Sequence, residues 1–149
     1  MAGEKGSTYA NSLLQLIFNG TTIANIAINA TSSPLTNLYV SLHTADPTAS
    51  GTQTSSEIAY TSYARVAVPR SYTNGSTAGF LVTGNSVSPV LSVTFPTGTG
   101  GSGTAAYFGI GTASTGTGEL LYAGPISPTI VCGSGVTPTL TSATAVTES

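Results

Sequence analysis

Few residues in this chain can do chemistry, and two of them stand close together. In "LYVSLHTADPTASGTQ" (Leu38–Gln53) the single histidine, His43, precedes Asp46 by three positions. An imidazole beside a carboxylate can serve as a general base or as two ligands of a metal. A hydrolase would add a nucleophile to the pair; a metal centre would need three or four ligands from His, Cys, Asp or Glu. The chain has one His and one Cys, and Cys132 lies far along the sequence from His43. That inventory points away from acid–base and metal chemistry. No catalytic residue, metal ligand or cofactor is expected, and the protein is read as not an enzyme. Alternation along the strand places His43 on its outward face. Asp46, standing before Pro47, suits an Asx-turn. The plain reading of the stretch is a strand running into a turn.

The other ionic groups are Glu4, Glu57, Glu119 and Glu148 on the acidic side and Lys5, Arg65 and Arg70 on the basic side. Glu57 and Glu119 would make a glycosidase pair only if folding brought them together, and no motif requires that. Arg65 carries a stronger expectation. It is read as mid-strand in "YARVAVPR", on the face opposite the valines. There it is expected to pair with Asp46 or Glu57; the alternative is a solvated guanidinium with its stem packed on the sheet. "TGTGGSGT" has no Lys and does not lead from a strand into a helix, so it reads as a hairpin tip rather than a phosphate loop. The tyrosines and phenylalanines are dispersed, which suits core and interface roles better than a carbohydrate platform.

The elements that must position these residues follow from periodicity. Thr8–Phe18 predicts a helix, because Tyr9, Leu13, Leu14, Ile17 and Phe18 form one apolar stripe. Ser7 or Thr8 can cap its start, and Asn19-Gly20 can close it. The stripe needs a partner, either the sheet of its own subunit or a neighbouring one, which makes Tyr9, Leu13 and Ile17 interface candidates. After Gly20 the pattern turns to β. "LYVSLHT" places Leu38, Val40 and Leu42 on one face and Tyr39, Ser41 and His43 on the other. "YARVAVPR" turns Ala64, Val66 and Val68 inward. Further strands are expected at Gly79–Val82, Val90–Phe95, Ala105–Gly111, Glu119–Ile126, Thr129–Cys132 and Thr137–Val146, while "TTIANIAINATSS" reads as irregular. Gly, Ser, Thr, Pro and Asn clusters separate the strands. The expected fold is therefore a single all-β domain, a jelly-roll-like β-sandwich, with one short N-terminal α-helix within residues 1–20 and a long polar loop at 45–62. Cys132 reads as a small buried hydrophobe without an internal disulfide.

Composition narrows the partners. Only 5% of residues are charged, against roughly 25% in ordinary soluble proteins. A surface so poor in charge favours a chain covered by copies of itself or by a larger assembly; a surface solvated by its many hydroxyls is the alternative. Three basic residues make no phosphate-binding cluster, so nucleic acid is not an expected partner. No run of about 18 apolar residues marks a membrane span. The N-terminal stretch lacks a basic segment followed by a continuous apolar run, and it reads as mature protein.

A resemblance sharpens this. The helix ending in "FNGT", then "LYVSLHTADPTASGT", "SYARVAV", "VTFPTGTG" and "YFGIGTASTGTGELLYAG", in that order, resemble a family of small tailed-bacteriophage structural proteins. Members of that family are often labelled tail-fibre-like or simply virion proteins. The resemblance runs from about Tyr9 to the C-terminus, and "LYVSLHTADP" with "YARV" is its most specific part. Gly111 departs from it, standing where a bulkier residue is common. The resemblance implies a non-enzymatic virion component. The leading expectation is a capsid decoration, or cement, protein on the exterior of the head, held by the major capsid protein and by copies of itself as a dimer or trimer. The alternative is a tail-fibre or baseplate-associated structural or host-adhesion module. A glycan-cleaving enzyme is the least supported class.

Overall fold

In the computed structural model, which describes residues 7–23, 35–71, 73–75 and 78–148, the chain is all-β and sandwich-like with one short N-terminal helix. Among the described residues the strands form sheets of four, three and two, and none of these closes on itself. The chain divides into two compact units. One comprises Met1–Thr36, Val68–Leu91 and Thr141–Ser149; the other comprises Asn37–Ala67 and Ser92–Leu140.

The first unit holds α1 (Ser7–Asn19). Its buried stripe is Ala10, Leu14 and Phe18, with Leu13 and Ile17 half-buried beside it. The spacing is the i, i+4, i+8 of a single helical face. Tyr9 lies in the helix, but its side chain falls outside the described residues. The helix stops at Gly20, whose left-handed φ of 69° is the conformation a glycine cap supplies. The Gly20 N–H donates to the Leu16 carbonyl at 3.1 Å and the Thr21 N–H to the Gln15 carbonyl at 3.0 Å. The partner of the stripe is a hairpin of the same unit, β3 (Phe80–Thr83) and β4 (Ser86–Pro89). Phe18 meets Phe80 edge-on at a ring separation of 4.8 Å. The hairpin turns on Gly84, which takes a positive φ of 63°, as the first central position of a tight II′ connection demands. A short strand β9 (Val146–Thr147) pairs with β4 through Val87 and Val146.

The second unit is organised by a long antiparallel sheet. β1 (Asn37–His43) pairs with β6 (Ser102–Gly111), which pairs in turn with β7 (Leu120–Gly133). β2 (Val66–Pro69) begins in this unit, on the other side of β1. β5 (Val93–Thr94) and β8 (Thr139–Leu140) form a separate ribbon. Val40 lies opposite Ile110 and Leu42 opposite Phe108, and all four are buried. That is the core face the alternation predicts.

Several boundaries differ from expectation. β4 arises where no strand is expected, because "SVSP" offers only one bulky apolar residue. β7 is continuous where two strands are expected. It contains an irregularity: Ala105 pairs with Ile130 but Tyr107 with Pro125, so Ile126–Thr129 bulge from the ladder. The expected strand Thr137–Val146 is two short pieces, β8 and β9. Arg65 precedes β2 rather than sitting within it, and Ala64 is exposed rather than inward. Most of "TTIANIAINATSS" lies outside the described residues. Cys132 is buried and free, and burial pushes its thiol pKa up.

Candidate functional site

The 45–62 loop is polar and rich in turns, yet it folds back on the end of β1. The Thr44 N–H donates to the Ser56 carbonyl at 2.8 Å and the Ile58 N–H to the Leu42 carbonyl at 2.9 Å. Residues 56–58 thus extend the antiparallel pattern past His43, which bridges to Glu57. Asp46 makes the expected turn, its Oδ1 accepting from the Thr48 N–H at 2.8 Å. Thr48, Ser56 and Ser62 take left-handed φ values of 62°, 53° and 78°. Each costs about 1–3 kcal/mol of backbone strain. Such strain persists only where surrounding interactions hold the chain, and here an inward cluster does so.

Arg65 is the hub of that cluster. Its Nε reaches Glu57 Oε1 and its Nη2 reaches Glu57 Oε2, each at 2.7 Å. The pair is bidentate, and the two side chains are only 3% and 16% exposed. Of the two carboxylates expected as partners, Glu57 is the one used; Asp46 is exposed in its turn. Two more Arg65 donors cross to the next loop, reaching the Ala113 carbonyl at 2.9 Å and the Gly116 carbonyl at 2.8 Å. The hydrogen bonds to Glu57 raise the Arg65 pKa further above its already high value. The Tyr63 hydroxyl donates to Glu57 Oε1 at 2.9 Å and accepts from the Leu42 N–H at 3.1 Å. Burial drives the Tyr63 pKa well above the usual phenol range. The guanidinium therefore ties loop 45–62 to loop 112–119 through fixed, charge-assisted bonds.

His43 is not on an outward face: it is fully buried, at 0% exposure, as is Ser41. The alternation itself is correct. The error is the assumption that the polar face of β1 meets water, because the returning loop covers it. The His43 Nδ1 lies 2.8 Å from the Ser55 carbonyl. A carbonyl can only accept, so Nδ1 carries the proton and Nε2 accepts from the Ser41 hydroxyl at 2.8 Å. Burial lowers the His43 pKa below its ordinary value; the Ser55 carbonyl and Glu57 pull it up, and Arg65 pushes it down. A serine hydroxyl on a neutral imidazole is nucleophile–base geometry. Here both atoms are buried inside the unit, beneath the returning loop. The pair acts as an internal hydrogen-bonded brace.

Three further residues complete the site, and of these only Gly111 stood out in the sequence. Gln53 is fully buried, and its Oε1 accepts from the Ala113 N–H at 2.9 Å. Gly109 and Gly111 on β6 make room beneath the loop. A Cβ on Gly109 would stand 2.6 Å from His43 Nε2 and 2.8 Å from Ser41 Oγ. A Cβ on Gly111 would overlap the Gln53 side chain. A side chain larger than hydrogen is excluded at Gly111 for that reason. Two glycines two apart in "YFGIG" share one strand face, and that spacing is the available signal of a close approach. Glu119 is exposed and joins Thr52 through a backbone bridge, while both carboxylate oxygens of Glu57 are held by Arg65.

The second arginine acts in the helical unit. Arg70 Nε donates to the Ile17 carbonyl at 2.6 Å, Nη2 to Leu16 at 2.9 Å and Nη1 to Leu35 at 2.7 Å. Of these, the Ile17 carbonyl is among those left open at the C-terminus of α1, and the Leu16 carbonyl also accepts from the Gly20 N–H. Leu13 and Ile17 stay half-buried on this helix. Among the described residues there is no cluster of three potential metal ligands, and no helix is long and apolar enough to cross a membrane.

The described ionic side chains with the most partners are turned inward, and neither arginine is fully exposed. The sequence relationship defines a class, a structural protein of the bacteriophage virion. Within that class, residues 6–144 match the family described as podophage GP4 fiber I protein gp80, and the chain belongs to that family. No curated protein matches it.

Proposed function

We propose that this chain is a component of the phage tail fibre, a rigid structural module that works through surface contact. Family membership over residues 6–144 carries the reading. The site supports it: buried charge-assisted bonds hold the loops, and the exposed loop positions are mainly short hydroxyl and glycine residues. Such a surface can be buried without desolvating many charges, which suits a neutral interface. The partners proposed are copies of itself, as a dimer or trimer, and neighbouring fibre protein. The mechanism needs neither nucleic acid nor a membrane, and it involves no enzymatic step.

The family description favours the fibre over a capsid decoration role, in which the same surface would bind the major capsid protein on the head exterior. Copy number separates the two. Quantitative mass spectrometry of purified virions should give a small number per particle, a multiple set by tail symmetry. A ratio near one-to-one with the major capsid protein would return the chain to the head.

A further inference from the structure

We propose that His43 is an acid-operated latch on the 45–62 loop, so that proton uptake by its buried ring releases the loop from the end of β1. The inference is independent of where the protein sits in the virion. It rests first on geometry. The ring joins β1 to the loop through Ser41 on one side and the Ser55 carbonyl on the other. A second proton would make both ring nitrogens donors. Ser41 would then have to turn its own hydroxyl proton away, and among the described residues Ser41 Oγ has no other hydrogen-bond partner. The new cation would also stand at a position with 0% exposure.

The groups facing the ring offer it little compensation. From the loop come the Ser55 carbonyl and Glu57, and behind Glu57 stand Arg65 and Tyr63. From β6 come Tyr107, opposite in register, and Gly109, which brings backbone and no charge. Leu120, at the start of β7, closes on the same point. Glu57 is the one carboxylate among these groups, and both its oxygens are already engaged by Arg65. The direction of the His43 shift agrees, since burial outweighs the attraction of Glu57. The loop is also held against strain at Thr48, Ser56 and Ser62, so loosening one anchor favours opening.

The sign follows from linkage. In the opened loop the imidazole recovers an ordinary pKa of about 6.5, above its value in the closed state. Closure is therefore fully favoured above about pH 6.5 and weakens as pH falls. Opening grows by up to about tenfold per pH unit until the closed ring itself takes the proton.

Amide hydrogen exchange on the full chain at pH 7.5 and 5.0, corrected for intrinsic rates, tests this. Residues 44–62 should lose protection at the lower pH, by at most about thirtyfold, the β6–β7 ladder should keep its own, and His43→Gln should abolish the difference. Flat loop protection in the wild type would overturn the latch. So would equal acid loss in His43→Gln, which would assign the effect to carboxylates, and so would uniform loss across β6 and β7. Should His43→Gln fail to fold, the ring proton signals of this single histidine decide. Titration together with loop opening supports the proposal; titration with the loop unmoved, or opening while the ring stays neutral, overturns it.

Discussion

Arg65 and Arg70 stand five residues apart in sequence and anchor two different units by two different means. Arg65 meets a carboxylate in a planar fork and spends its remaining donors on two carbonyls of another loop. Arg70 gathers backbone carbonyls at the end of a helix. In the first case the geometry of the guanidinium matters, because two parallel bonds to Glu57 fix the loop in one register. In the second, positive charge at the negative end of a helix is a large part of the effect, and its exact shape matters less. A chain with three basic residues uses two of them as internal cross-links. Little cationic surface is left for any partner to read.

Substitutions can break this comparison. Arg65→Met should have the largest effect, about 3 kcal/mol of lost stability in urea unfolding, because it strands a largely buried carboxylate. Arg65→Lys should lose nearly as much, since an ammonium cannot reproduce the fork. Gly111→Ala comes next, at about 2 kcal/mol, as the new methyl displaces Gln53 and loosens the same loop. Arg70→Met should cost about 1.5 kcal/mol, with the loss of amide protection concentrated in α1. Arg70→Lys should recover roughly half of that through the helix dipole. If the two lysine variants behaved alike, the distinction between fork and point charge would fail. Asp46→Ala should be the mildest, about 0.5 kcal/mol, because it removes one hydrogen bond from an exposed turn.

Parts of this arrangement were legible residue by residue. With so few charges, an arginine read as mid-strand pointed to a carboxylate partner, and Glu57 was one of two named. Asp46 before Pro47 signalled its turn. The apolar stripe ending at Phe18 and the following Asn19-Gly20 marked the helix and its end. Arg70 was not legible as a helix cap, because the carbonyls it reaches belong to residues more than 30 positions earlier in the chain. Gln53 gave no signal at all, since a glutamine in a polar loop looks like any solvated residue until the loop turns inward.

The sequence by itself determined the class: an all-β chain with a single N-terminal helix, poor in charge, related to phage structural proteins. Periodicity, caps and turn residues act over a few positions, so they can be read locally. Only the tertiary structure decided which face of β1 met water. Alternation correctly separated Ser41 and His43 from Val40 and Leu42, but solvent exposure depends on what covers a face. The cover here is a segment that returns after a dozen residues and is held by Arg65. Burial is a property of the whole packing, and for that reason the one histidine moved from the surface to the centre of the site.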